Sequence, residues 1–321
     1  MEKAAAGGGD AVRIVFWGTP DFALTVLGAL LEGGRDVVGV ITQPDRPAGR
    51  GRKLQPPPVK SVAAEAGVPV LQPEKPHGEE FMREFAGLEP DVSVVAAYGQ
   101  ILKAEVLELP RLGSFNVHAS LLPELRGAAP VNWAIIRGHT ETGVTIMRMV
   151  EQLDAGPMVL KARTGIAANE TAGSLMERLA ELGAATLLEA LELIETGRAV
   201  EEEQNEDEAT YAPKLRSEDV RVDWGRPAEE IERWIRGADP VPAAWSELEG
   251  KRVRLFAPRV HDLDADAEPG VVVVADPNTG LHVATGSGTL CIDEVQPAGK
   301  RRMGTADWIR GRGVTGGQRF V

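Results

Sequence analysis

Three residues suited to acid–base and oxyanion chemistry lie close to short apolar runs. Asn116 and His118 stand two apart in Ser114–His118, and Asp154 follows the run Thr142–Met149 within Leu153-Asp154-Ala155-Gly156. Side chains two apart on a strand share a face. A carboxamide and an imidazole are therefore expected together at the C-terminal end of a parallel strand, where open α/β sheets place their ligands. The amide N–H groups can hydrogen-bond a developing oxyanion, and the imidazole can accept a proton near neutral pH. An acid on the following loop can orient that imidazole and hold a water. A plainer description also fits: His118 satisfied at a strand end, Asn116 in a turn, Asp154 solvated. Spacing alone does not choose between them.

A second unusual stretch is Gln43–Pro58, QPDRPAGRGRKLQPPP. It carries Arg46, Arg50, Arg52 and Lys53 against Asp45, a net +3 in a chain whose total is −13. Loops of this length without secondary structure tend to be functional or disordered. The tail from Lys300 to Val321 holds six cations against Asp307, a net +5. Two basic clusters on an acidic protein read as a docking surface for a polyanion. The opposite extreme, Glu201–Glu208 (EEEQNEDE), has six acids and no base, and reads as a solvated linker.

The elements that must position these residues follow an alternating pattern. Arg13–Trp17 reads as a buried strand, with Thr19 as N-cap and Pro20 as first residue of a helix over Phe22–Leu31. Strands are predicted at Val37–Thr42, Val68–Leu71, Val92–Ala97, Ser114–His118, Thr142–Met149 and Met158–Thr164. Helices are predicted near Val59–Ala66, Glu79–Leu88, Pro130–Ile136 and Ala172–Glu195. Strands apolar on both faces and alternating with helices imply a doubly wound, mostly parallel α/β sheet over 12–199. After a linker at 200–217, residues 218–321 give a helix at Ala228–Gly237 and then short runs at Val253–Phe256, Val271–Ala275, Leu281–Ala284 and Thr289–Val295. That spacing implies a smaller, OB-like antiparallel β-barrel.

Composition excludes several classes. The chain has 321 residues, 43% of them apolar, and no run near the roughly 20 residues a membrane helix needs. One cysteine, Cys291, rules out a disulfide scaffold and a cysteine-based zinc site, and fits a reducing cytoplasmic setting. Trp17-Gly18-Thr19-Pro20-Asp21-Phe22 has one glycine where a dinucleotide fingerprint needs three. No Walker sequence, nucleophile elbow or HExxH helix occurs.

From Arg13 to the C-terminus the chain resembles the family of methionyl-tRNA formyltransferases, a branch of the 10-formyltetrahydrofolate-dependent formyltransferases. The strings that carry the resemblance are Gly18–Ala23 (GTPDFA), Thr42–Arg50 (TQPDRPAGR), Ala97-Tyr98-Gly99, Asn116-Val117-His118, Ser120–Pro123 (SLLP), Arg126–Pro130 (RGAAP), Glu141–Met147 (ETGVTIM) and Leu153–Gly156 (LDAG). The resemblance implies Asn116, His118 and Asp154 as the catalytic trio, and Ser120, Leu121, Leu122 and Pro123 as the folate-binding segment. It implies Arg46, Arg50, Arg52 and Lys53 as a grip on the acceptor arm of tRNA. The expected donor is 10-formyltetrahydrofolate and the expected partner initiator methionyl-tRNA, in the cytoplasm, with no membrane, metal or obligatory protein partner. Trp17 and Ala119 depart from the family pattern beside the expected folate pocket. Two alternatives stay open: a sister formyltransferase acting on a small amine, and a non-catalytic tRNA-binding protein of the same fold.

Overall fold

The computed structural model describes residues 11–48, 53–261 and 266–321. The chain packs into two units that interleave along the sequence. The first takes the chain up to Gly127, then Gly143–Thr164 and Met176–Tyr211; the second takes Ala128–Thr142, Gly165–Leu175 and Ala212–Val321. The last boundary, between Tyr211 and Ala212, falls inside the expected linker at 200–217, while two short segments inside 12–199 belong to the second unit.

A seven-stranded sheet dominates the first unit. Its order is Val70–Leu71, Asp36–Ile41, Arg13–Gly18, Val92–Ala96, Ser114–His118, Glu141–Arg148, Met158–Gly165. The first five strands pair in parallel, and Glu141–Arg148 runs antiparallel to Ser114–His118. The strand Arg13–Gly18 is buried on both faces, with Ile14, Val15, Phe16 and Trp17 all 0% exposed. Trp17 packs edge-on against Phe81, Phe85 and Tyr98. The helix Asp21–Glu32 buries Phe22, Ala23, Val26, Leu27 and Leu30, the spacing of one apolar face. It starts so close to the strand that a Cβ on Gly18 would lie 2.5 Å from that of Ala23.

Most predicted boundaries hold within a residue or two, and Pro130–Ile136 and Ala172–Glu195 stand as read. Two local expectations fail. Pro20, not Thr19, is the N-cap, and the cap has no side-chain hydrogen bond. The Thr19 hydroxyl is used instead between strand ends: it donates to the Tyr98 carbonyl at 3.2 Å and accepts from the Gln43 N–H at 3.4 Å. The long basic loop is also not bare of structure, since Arg46–Ala48 and Lys53–Gln55 pair as a short antiparallel ribbon.

In the second unit five strands form an antiparallel sheet in the order Trp245–Leu248, Lys251–His261, Thr289–Pro297, Gly280–Ala284, Val272–Asp276, and Met303–Gly304 adds to Thr289–Pro297. The C-terminal residues bridge its two edges: Phe320 pairs with Leu248 and Arg319 with Val271. Trp224, Trp245, Leu255, Val283 and Phe320 share the core beneath it with Ile231 and Ile235 of the helix Ala228–Ala238. Against that helix lies Pro130–Ile136, with Trp133 edge-on to Trp234 and the Asn132 Nδ2 donating to the Gly237 carbonyl at 2.7 Å. No helix among the described residues is long and apolar enough to cross a membrane.

Candidate active site

The strand Ser114–His118 is held in register from both sides. Asn116 faces Val95 on one neighbour and Met147 on the other, and His118 faces Thr145. Behind it the helix Ala172–Glu195 is pressed close, and a Cβ on Gly183 would come within 2.8 Å of Val117 Cγ1. Alternation then sends Val117 to that helix and leaves Asn116 and His118 on the opposite face. Asn116 is half-buried and His118 is 5% exposed.

The imidazole is tied at both nitrogens. Nε2 lies 3.1 Å from the Leu125 carbonyl oxygen, and Nδ1 lies 3.8 Å from Asp154 Oδ2. A carbonyl can only accept, so Nε2 carries the hydrogen. In the neutral ring Nδ1 is then the open acceptor, and a proton taken there faces a carboxylate. At 3.8 Å the pair is an ion pair on protonation and not a direct hydrogen bond. Asp154 has a firmer partner in the Gly127 N–H, which donates to Oδ2 at 2.8 Å.

Asp154 adopts φ +50, the left-handed region that Asp tolerates better than most residues. Two residues on, the backbone leaves no room: a Cβ on Gly156 would sit 1.9 Å from the Arg148 carbonyl oxygen. The glycine therefore lets the loop fold back against the end of Glu141–Arg148 and carry Asp154 to the imidazole. The structure brings the three sequence-picked residues together, although Asp154 lies 36 residues beyond His118.

It does not bring Ser120–Pro123 to an open face. Ser120 is 0% and Leu122 1% exposed, and only Leu121 is half-buried. The segment's polar groups are already engaged: Ser120 Oγ donates to the Glu124 carbonyl, the Thr145 hydroxyl donates to the Ser120 carbonyl and accepts from the Leu122 N–H, and Lys161 Nζ donates to the Leu122 carbonyl. A cleft of about 380 Å³ lies among the described residues, lined by Leu107, Pro110, Ser114, Arg148, Met149 and Val150. Ser114 belongs to the strand that carries Asn116 and His118, and Val150 begins the loop that carries Asp154.

Of the four cations read as tRNA contacts, Arg50 and Arg52 lie outside the described residues, as does the side chain of Lys53. Arg46 is exposed and donates to Gln43 Oε1 at 3.1 Å. The loop's one acid is neutralised, because Lys60 Nζ meets both Asp45 oxygens at 2.8 Å; hydrogen bonds from Gln72 and Lys60 hold that carboxyl below its usual range. The tail is less basic than its count. Arg302 pairs with Asp239 and Glu294, Arg310 with Asp307, and Arg319 with Glu268.

The acidic run Glu201–Glu208 is more than the solvated linker its composition implies. Gln204 is buried at 9% exposure among exposed acids, and Glu206 receives two guanidinium nitrogens of the fully buried Arg126 at 2.8 and 3.0 Å. The available signal was a single uncharged long side chain, Gln204, inside an acidic run.

Residues 12–191 match the family model described as formyl transferase, and residues 214–313 match formyl transferase, C-terminal domain. The chain is 51% identical over 293 residues to the methionyl-tRNA formyltransferase of Desulfotalea psychrophila, covering 91% of this chain and 90% of that one. It is 47% identical over 309 residues to that of Bacillus licheniformis, covering 96% and 98%. Among solved structures, HypX from Aquifex aeolicus in complex with tetrahydrofolic acid superposes with a TM-score of 0.66 at 21% identity, covering 93% of this chain and 47% of HypX. The chain thus spans about half of HypX's length. WlaRD, a sugar 3N-formyl transferase, superposes with a TM-score of 0.64 at 18% identity, covering 91% of this chain and 100% of WlaRD. These two likenesses are of fold.

Proposed function

The chain belongs to the methionyl-tRNA formyltransferase family, and on that footing we propose that Asn116, His118 and Asp154 carry the reaction it catalyses. It transfers the formyl group of 10-formyltetrahydrofolate to the α-amino group of methionyl-tRNA. An α-amine titrates near 7.7–8.0, so much of it is protonated at neutral pH and must shed a proton to attack. The attacking nitrogen forms a bond to the formyl carbon, the bond from that carbon to N10 breaks, and N10 takes up a proton. The Asn116 amide donates to the oxyanion formed on the way. His118 Nδ1 takes the amine's proton, Asp154 Oδ2 stabilises the resulting imidazolium, and the Leu125 carbonyl keeps the ring in the tautomer that leaves Nδ1 open. The observation that carries this reading is the placement of His118 between the Leu125 carbonyl and the Asp154 carboxylate.

For the donor, we propose that the pteridine enters the cleft beside Ser114 and Val150, with Ser120–Pro123 as the buried support of its wall. For the acceptor, Arg46, Arg50, Arg52 and Lys53 form the grip on initiator tRNA, and 218–321 supplies the rest of the tRNA surface. The test of the whole is formyl transfer from labelled 10-formyltetrahydrofolate offered methionyl-tRNA, glycinamide ribonucleotide or a nucleotide-linked aminosugar. Label is expected in methionyl-tRNA alone; label in either small amine, or in none, overturns the reading.

The tRNA grip has its own signature. Each phosphate neutralised by a cation releases counterions, giving a log–log salt slope of about −0.9 per contact on duplex. Changing Arg46, Arg50, Arg52 and Lys53 together to alanine is expected to flatten the slope of tRNA affinity against salt by roughly three units. Affinity for a stable folate analogue should stay as it was. Equal slopes before and after would make the loop a bystander.

A further inference from the structure

We propose that Arg126 and Gln204 are positioning residues for the transfer, acting through Asp154 and His118 from a closed ring of hydrogen bonds. The proposal rests on the catalytic reading above and extends it to two residues that touch neither substrate.

The segment Leu125-Arg126-Gly127 holds both acid–base groups. The Leu125 carbonyl accepts from His118 Nε2 at 3.1 Å, and the Gly127 N–H donates to Asp154 Oδ2 at 2.8 Å. Leu125 has φ +60 and Gly127 φ +119, so this segment turns through backbone conformations that an L residue adopts only when its surroundings fix them. What fixes it is the stretch after the long helix. The Arg126 N–H donates to the Thr210 carbonyl at 2.8 Å, and the Leu125 N–H to the Thr210 hydroxyl at 2.9 Å.

The side chains complete the ring. Arg126, 0% exposed, donates from Nε to Gln204 Oε1 at 3.0 Å. The Gln204 amide nitrogen then donates to two carbonyls of the catalytic loop, Asp154 at 2.9 Å and Gly156 at 2.8 Å. Both amide hydrogens are spent on the loop that carries the carboxylate, so Gln204 sets the backbone from which Asp154 projects. The path runs Asp154 side chain, Gly127, Arg126, Gln204, Asp154 backbone. Glu206 closes the other side of the guanidinium, and its hydrogen bond keeps that arginine's proton more firmly bound than usual.

Neither glutamate nor methionine meets the demands of this slot. Glutamate has no N–H for the two carbonyls and places a charge against them. Methionine fills the volume and makes none of the bonds. A displacement on the order of 1 Å at the reacting groups can cost about 10²-fold in rate.

The test is a double-mutant cycle on the full chain, read as steady-state formylation of methionyl-tRNA over a range of both substrates. Gln204→Met is expected to lower kcat by about 10- to 100-fold, with KM for both substrates changed by less than about two-fold. In an Asp154→Asn background the same change should cost nothing further. Equal losses in both backgrounds, or a KM effect without a kcat effect, would make Gln204 a purely structural residue and overturn the proposal. Should Gln204→Met fail to fold, Glu206→Gln, at an exposed carboxylate, runs the same cycle; a kcat loss that vanishes with Asp154→Asn supports the ring, and an unchanged kcat counts against it. Full activity of Asp154→Asn itself is a different outcome, which defeats the catalytic reading and not the ring alone.

Discussion

Replacing His118 with alanine is expected to lower kcat by on the order of 10²-fold or more, the scale of a lost general base, while folate affinity changes little. The reason is geometric. The ring donates through Nε2 to a backbone carbonyl and leaves Nδ1 as its acceptor, with Asp154 Oδ2 at 3.8 Å. Removing the ring takes away the proton acceptor and leaves the carboxylate held by Gly127. Asn116→Ala should cost a similar factor through the lost oxyanion donor. The two losses should combine to less than their product, because both act in one transition state. Single-turnover formylation at saturating donor separates this from a binding defect. Near-normal turnover of His118→Ala would remove the base from the mechanism.

The largest stability effect is expected from Trp17. Its side chain is fully buried against Phe81, Phe85 and Tyr98, and its indole Nε1 donates to Ser93 Oγ at 3.1 Å. It therefore belongs to the core, although its position in the sequence put it beside the expected folate pocket. Trp17→Ala removes a large apolar side chain, leaves a cavity that three aromatic neighbours cannot fill, and orphans the Ser93 hydroxyl. Losses of about 3–5 kcal/mol follow substitutions of this kind. Denaturant unfolding of the first unit, followed by circular dichroism, measures it. A loss under about 1 kcal/mol would mean the site collapses far more freely than such cores usually do.

What was legible in the sequence was local and periodic. The strand Arg13–Gly18, the helix Ala172–Glu195 and the side-by-side placement of Asn116 and His118 all follow from apolar spacing and strand alternation, which act over a few residues. Asp154 was legible only as a candidate, since the fold-back at Gly156 that delivers it depends on a backbone approach to Arg148. Contacts made across the fold were not legible. Thr19 has every attribute of an N-cap, yet its hydroxyl is taken by Tyr98 and Gln43, which arrive from other strands. Gln204 sits in a run whose charge says water, and the arrival of Arg126, 78 positions earlier, together with the Asp154 and Gly156 carbonyls, makes burial favourable there. The strand Trp245–Leu248 was missed because only two residues separate it from its partner Lys251–His261, a tight turn in which Glu249 and Gly250 both have positive φ.

The interleaving of the two units bears on how such a protein can be taken apart. The helix Pro130–Ile136 belongs to the second unit, where Trp133 and Asn132 reach Trp234 and Gly237. It also lies so near Gly237 that a Cβ there would come within 2.5 Å of Ile136 Cγ1. Gly165–Leu175 belongs to the same unit, and Arg236 donates to the Glu170 carbonyl at 2.8 Å. A piece cut out at residue 212 would lack both segments and bare the face of Ala228–Ala238 that they cover. The C-terminal third is therefore not a cassette. It cannot be swapped between relatives at the acidic stretch, however convenient that stretch is as a seam, unless the two upstream segments travel with it.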